Sequence, residues 1–240
     1  MPLLLHGLTL LPLLLAPFAA YALMTGWMLD RLPWSSSLFL ALWAGSVMAR
    51  TLYRIPRAAV AVLLLWGLTW AVEALGVWTG LPFGTYRYTG LLWPELMGVP
   101  LVIPLAWVAL LLLAMAWVEV RLPQAGPLER ILRVGLLLVG VDVLLEPMAA
   151  YAQRYWVWES GSVPLQNYLS WGILGVLLSA LLWRSVGPLR LPKPDRLWLW
   201  GLAGVLSGLC ALVGIAKGYW DAVVLGAAVL LGASLPWGRR

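Results

Sequence analysis

Long apolar stretches recur along this chain, and short connections rich in proline and charge separate them. A helix needs roughly 20 apolar residues to cross a hydrocarbon core of ~30 Å. On that scale the pattern predicts helices over 4–28, 36–53, 58–77, 100–120, 131–151, 167–184, 197–215 and 219–236, about eight spans with seven as the alternative count. The connections "DRLPWSSS", "RIPR", "RLPQAGPLER" and "RSVGPLRLPKPDR" combine Pro with basic residues and interrupt any helix. No segment reads as a separate soluble domain. The expected fold class is an all-α polytopic integral membrane protein, with residues 1–240 as one transmembrane domain. Residues 1–28 lack a basic n-region and carry an apolar run longer than a signal-peptide h-region, so they are expected to stay as a helix.

One connection differs from the others. "LPFGTYRYTGLLWPELMGVPL", residues 81–101, holds three Pro, three Gly, two Tyr, an Arg and a Glu between two apolar helices. It is too short for a domain and too elaborate for a simple turn. It is expected to have a task of its own.

Composition supports the membrane assignment: 62% of residues are hydrophobic, 11% are charged, and mean hydropathy is +0.90. Charge adds an orientation. Arg31, Arg87, Arg154 and Lys217 stand alone in the odd-numbered loops, while the other twelve of the sixteen Lys and Arg cluster in the even loops and at the C-terminus. Basic residues accumulate on the cytoplasmic side, so both termini are expected there and 81–101 on the outer side. The same asymmetry accounts for the net charge of +6 without nucleic-acid binding. Cys210 and His6 are each the sole residue of their type, and neither a GxGxxG nor a Walker loop is present. No metal and no cofactor are expected.

Most of the 17 Trp residues, including those of "PWS", "YWVW", "LWLW" and "LPWG", are expected to anchor span ends at the membrane interface. Gly204 with Gly208, and Gly172 with Gly175, are expected to let helices pack closely. There is also an internal echo. Val99-Pro100-Leu101 and Val163-Pro164-Leu165 are each followed, after five residues, by a Trp (Trp107 and Trp171). Two helix pairs related as repeats, with a site between them, would produce this.

Candidate chemistry lies in three acids. Glu73, Asp142 and Glu146 fall inside predicted spans, where an ionisable side chain costs ~2.5 to 3.5 kcal/mol and needs a partner or a cavity. Asp142 and Glu146 are four apart and share a helix face. The bland alternative is that all three are structural, hydrogen-bonded between helices. Two carboxyls in one low-dielectric pocket oppose each other's ionisation, and an acid beside a carboxylate is an acid/base pair. Protonating an alkene in an aromatic-lined site would give a carbocation that ring faces stabilise.

At these residues the chain resembles a known family. Glu73, Gly76, the run Thr79 to Gly84, Tyr86, Tyr88, Gly98 to Pro100, Pro104 and Trp107 resemble the carotenoid 1,2-hydratases of the CruF type. So do Asp142, Pro147, Trp156 to Trp158, Val163 to Tyr168 and Trp171. The family pattern has Asp at Glu146, Gly at Ser162, Phe at Tyr168 and Gly at Ser170. The resemblance implies water addition across the terminal C1=C2 bond of an acyclic carotenoid end, such as that of lycopene or gamma-carotene, without a cofactor. It implies Glu73, Asp142 and Glu146 as catalytic, with Asp142 or Glu73 donating the proton and Glu146 orienting water. It further implies Phe83, Tyr86, Tyr88, Trp107, Trp156, Trp158, Asn167 and Trp171 as substrate-binding, and 81–101 as part of a cap. The catalytic core is then about 58–184, with outer loops 78–99 and 152–166, and the expected location is the cell membrane. Lycopene cyclisation through the same protonation, and transport of a lipid or small solute, are the alternatives. For the topology, a Cys placed at Thr85 or Ser160 should react with an impermeant thiol reagent from outside intact cells and not from the cytoplasmic face of inverted vesicles.

Overall fold

In a computed structural model, residues 3–26, 32 and 34–235 are described. They form eight helices: α1 (Leu3–Thr25), α2 (Ser35–Arg54), α3 (Ala59–Thr79), α4 (Val102–Arg121), α5 (Pro127–Glu146), α6 (Leu165–Val186), α7 (Lys193–Ala216) and α8 (Trp220–Ser234). Four short strands lie between helices: β1 (Tyr86–Tyr88), β2 (Glu95–Leu96), β3 (Val99–Pro100) and β4 (Trp156–Trp158). The chain is an all-α polytopic membrane protein. Five of the helices, α1, α3, α4, α6 and α7, are long and apolar enough to cross a bilayer, and α8 is apolar but shorter. Ser35, Ser36, Ser37 and Arg50 make α2 more polar, and Glu129, Arg130, Arg133, Asp142 and Glu146 do the same for α5.

α4 is the most enclosed helix, with its apolar residues buried on nearly every side. α5 packs against α4, α6 and α8, and α1 packs against α2 and α7. Small residues set the closest approaches. A Cβ on Gly175 would lie 3.0 Å from Gly135 Cα, and one on Gly226 would lie 3.1 Å from the Gly140 carbonyl oxygen. Gly172 and Gly175 therefore sit in a close seam, as expected. Gly204 and Gly208 do not: both are exposed, with nothing within 4 Å of an added Cβ, because that face of α7 turns away from the bundle.

Several basic residues expected in or beside the even loops lie within helices. α5 begins at Pro127, earlier than the expected 131, because Pro is favoured in the first turn, where its missing N–H costs nothing. Arg130 and Arg133 are thus buried on α5. Arg133 Nη1 donates to the carbonyls of Gly232 (2.8 Å) and Ala233 (3.2 Å), satisfying acceptors that the C-terminal end of α8 leaves open. Arg50 is buried on α2, where Nη1 meets Asp195 Oδ1 at 2.9 Å and Nη2 meets Thr9 Oγ1 at 2.6 Å. Arg54 Nε reaches the other Asp195 oxygen at 2.6 Å. These contacts tie α1, α2 and α7 at one end of the bundle. Ser46 Oγ donating to the Leu8 carbonyl and Trp43 Nε1 donating to that of Leu202 reinforce the tie. Arg31, Trp237, Arg239 and Arg240 lie outside the described residues.

A buried ion pair contributes little over an apolar pair, but breaking one strands a charge at about 3–5 kcal/mol. Asp195→Asn should therefore lower the thermal midpoint of the detergent-solubilised protein by on the order of 10 °C. Arg54→Gln, at the half-exposed partner, should lower it far less.

Candidate active site

The loops after α3 and α5 meet over the opposite end of the bundle. β1 pairs antiparallel with β4, placing Tyr86 opposite Trp158, Arg87 opposite Val157 and Tyr88 opposite Trp156. Alternate residues of a strand face the same side, so Tyr86, Tyr88, Trp156 and Trp158 turn together toward the helices. Arg87 turns outward and is exposed. The ladder extends through Thr89 N to the Tyr155 carbonyl and Glu159 N to the Thr85 carbonyl. The "YWVW" segment therefore carries no interfacial anchor at Trp156 or Trp158. Its indoles point inward because the strand pairing orients them that way.

Two glutamates hang beneath this ribbon, one from each preceding helix. Glu73 of α3 accepts hydrogen bonds at Oε2 from the Tyr86 hydroxyl (2.6 Å) and the Tyr88 hydroxyl (2.8 Å), and at Oε1 from Trp107 Nε1 (2.8 Å). Glu146, the last residue of α5, accepts at Oε2 from Trp156 Nε1 (3.2 Å) and Trp158 Nε1 (3.1 Å). Its Oε1 faces Asn167 Nδ2 at 3.4 Å. In both cases two residues, i and i+2 on one strand, serve one carboxyl. Burial, and then the neighbouring Glu73 carboxylate, push both phenols well above their ordinary pKa, so they remain donors.

Local sequence explains the fit. Gly76 lies three residues after Glu73, and a Cβ there would fall 2.9 Å from both Phe83 Cδ2 and the Tyr86 hydroxyl oxygen. Only glycine lets the cap settle onto α3 at that point. Pro147 follows Glu146 directly, and residues Pro147–Ala152 continue as a π-helix. Proline lacks the N–H that would continue the α ladder, and such widened turns concentrate at functional sites. The cap is held from several sides. Ser170 Oγ and Gln166 Nε2 both donate to the Pro82 carbonyl, at 2.6 and 2.7 Å. Trp93 N donates to Ser37 Oγ (2.8 Å) and the Tyr155 hydroxyl to Ser36 Oγ (2.7 Å). Residues 81–101 are thus a folded lid over the acids.

Asp142 occupies a different place. It shares the α5 face with Glu146, and its Oδ2 accepts from Asn167 Nδ2 at 2.6 Å. It is fully buried, and Oδ1 has no partner among the described residues. A cavity of about 290 Å³ lies under the ribbon, and Asp142 does not line it. Glu73 and Glu146 do, together with Phe83, Tyr86, Tyr88, Trp107, Trp156, Trp158, Asn167 and Trp171. All eight aromatic and amide residues singled out from the sequence thus meet around one space. The stacked faces of Trp107 and Trp171, with ring centroids 3.9 Å apart, form one wall. These are the two Trp residues of the Val-Pro-Leu echo, so corresponding positions of the two helix pairs meet.

The cavity also reaches beyond the expected core of 58–184. Leu15 and Phe18 of α1, Leu38 and Phe39 of α2 and Leu206 of α7 line it as well. Nothing in their composition separates them from other lipid-facing residues, so sequence reasoning could not find them. The Ser36 and Ser37 anchors were foreshadowed only by an unusual serine run at a helix start.

Comparison with known proteins gives the family. The family described as carotenoid biosynthesis protein matches residues 35–233. A bisanhydrobacterioruberin hydratase of Haloarcula japonica is 33% identical over 193 residues, 77% of this chain. The aligned region spans 64% of that relative's length, so this chain covers somewhat less than two thirds of it. No solved structure matches the chain. With its family profile covering α2 to α8 and both acid-bearing helices, this chain belongs to the carotenoid biosynthesis protein family.

Proposed function

We propose that this chain, in the cell membrane, adds water across the terminal C1=C2 bond of an acyclic carotenoid end held under the ribbon. The observation that carries this reading is a pair of glutamates on one cavity whose other walls are mainly aromatic or aliphatic, with Asn167, Ser35 and Ser36 the polar exceptions. The hydratase relative supports the same reaction class.

The acids differ in what contacts them, which suggests separate roles. Hydroxyl groups both donate and accept, so Tyr86 and Tyr88 can pass a proton to and from Glu73. Indole N–H groups only donate, so Trp156 and Trp158 hold Glu146 Oε2 as an acceptor. Glu73 in its acid form gives its proton to C2, and the π electrons of C1=C2 form the new C–H bond. The tertiary cation left at C1 lies against the Trp107, Trp171 and Tyr86 rings. Water attacks C1 through its oxygen and loses one proton to the Glu146 carboxylate, giving the tertiary alcohol. Passing that proton from Glu146 back to Glu73 restores the starting state. Asp142, away from the cavity, acts as a positioning residue through Asn167.

Turnover of lycopene-containing membranes in oxygen-18 water tests the reaction. Hydration retains one label per hydrated end, whereas a cyclised product without label would establish ring closure instead. An unchanged pigment profile in a lycopene-producing host, with good expression, would favour transport. Glu73→Gln and Glu146→Gln should each lower turnover by about 10²–10⁴-fold while the protein stays inserted, because the amide cannot exchange the proton. The double variant should lose little more than either single one, since both serve one proton transfer. Asp142→Asn should retain a larger share of activity. Near-normal turnover in both glutamine variants would mark the acids as structural.

A further inference from the structure

The cavity is too small for the whole of a carotenoid. About 290 Å³ lies at the lower edge of pockets that enclose drug-sized molecules, ~300–1,000 Å³. An extended carotenoid is about as long as the hydrocarbon core is thick, ~30 Å. Most of such a molecule must lie outside the cavity, and the wall has to let it out.

That wall is uneven. On the side of α4 and the ribbon the lining is buried: Phe83, Trp107 and Trp158 are each 5% exposed or less. On the side of α1 and α2, residues that line the same cavity also face outward. Phe18 is 67% exposed, Trp34 48% and Leu38 47%. Phe18 stands seven residues before the end of α1, ~10 Å along the axis, inside a helix long and apolar enough to cross a bilayer. α1 and α2 are pinned together at the far end of the bundle, by Ser46 to the Leu8 carbonyl and Arg50 to Thr9. α2 is separately fastened to the cap through Ser36 and Ser37. Ala19 on α1 and Ser35 on α2 both line the cavity, and α1 is held near its end where Gln153 Nε2 donates to the Leu23 carbonyl at 2.7 Å.

We infer that the gap between the outer halves of α1 and α2 is a lateral gate that admits one end of a membrane-dissolved acyclic polyene, whose remainder stays in the bilayer. The gate rests on the carotenoid reading above for the identity of its occupant. Its chemistry selects a long, narrow, apolar chain without charged groups, because apart from Ser35 and Ser36 the contacts on offer from α1 and α2 are aliphatic and aromatic.

Two measurements on the full chain in lipid nanodiscs test it. Ala19→Trp combined with Ser35→Trp narrows the gate from both sides while leaving the acids and the ribbon untouched. Turnover of lycopene should fall by about tenfold or more. Turnover of a short acyclic isoprenoid with the same terminal double bond, such as geranylacetone, should change less than about twofold. Independently of activity, Phe18→Cys should react with a lipid-soluble maleimide about tenfold more slowly when lycopene is bound. Leu225→Cys, on α8 and also exposed, should react at the same rate with and without it. The native Cys210 is buried and contributes little background.

Wild-type rates on lycopene in the double variant, or no selective protection of Phe18→Cys, would overturn the gate. If the double variant is not monodisperse, the labelling result decides. Wild-type protein that makes no hydrated product from either substrate would defeat the hydration reading, while lycopene protection at Phe18→Cys would still report the gate.

Discussion

A carboxyl oxygen buried in a membrane protein has to be met by N–H or O–H groups from the protein, and much of this architecture follows from meeting that demand twice. Neither α3 nor α5 can satisfy its own glutamate, because helical N–H groups are already committed to the backbone ladder. The donors come from the loops instead. Tyr86 and Tyr88 serve Glu73, and Trp156 and Trp158 serve Glu146. Each pair can serve one carboxyl only because strand geometry puts alternate residues on one face. The two strands complete each other's backbone hydrogen bonds, so the ribbon and the acids depend on one another.

The same device appears in both halves of the core, with different chemistry. Glu73, Tyr86, Tyr88 and Trp107 correspond in order to Glu146, Trp156, Trp158 and Trp171, and the equivalent Trp rings stack. Two similar units, one serving its acid with two hydroxyls and an indole and the other with two indoles, give a cavity with two acids in unlike surroundings. An acid/base reaction needs that inequality, since identical environments would leave the two carboxyls without a reason to hold different protonation states. Asn167 adds a further distinction, since it links Glu146 to Asp142 and nothing equivalent touches Glu73 among the described residues.

The remaining helices frame this core. The ionic tie of Arg50, Arg54, Asp195 and Thr9 fixes α1, α2 and α7 at one end. Serine contacts fix α2 to the cap at the other. Between those fastenings apolar side chains of α1 and α2, Leu15, Phe18, Leu38 and Phe39 among them, line the cavity, and Gln153 Nε2 holds α1 near its end through the Leu23 carbonyl.

Much of this was legible in the sequence because it follows from local rules. Apolar runs of bilayer length specify the helices, prolines mark their ends, and an ionisable residue within a span is costly enough to stand out, so Glu73, Asp142 and Glu146 were visible at once. The Tyr-Arg-Tyr and Trp-Val-Trp alternations also carried the strand period, although each is too short to separate from an interfacial loop without its partner. What no single stretch contains is pairing. That β1 meets β4, that Asn167 reaches Asp142 while Asp142 stays off the cavity, that Arg50 and Arg133 are buried with partners on other helices, and that α1 and α2 wall the site all depend on residues far apart in the chain, from 25 positions for Asp142 and Asn167 to 145 for Arg50 and Asp195. Local periodicity says which face of a helix is apolar. Only close packing of the whole chain decides whether that face meets another helix, a cavity or lipid.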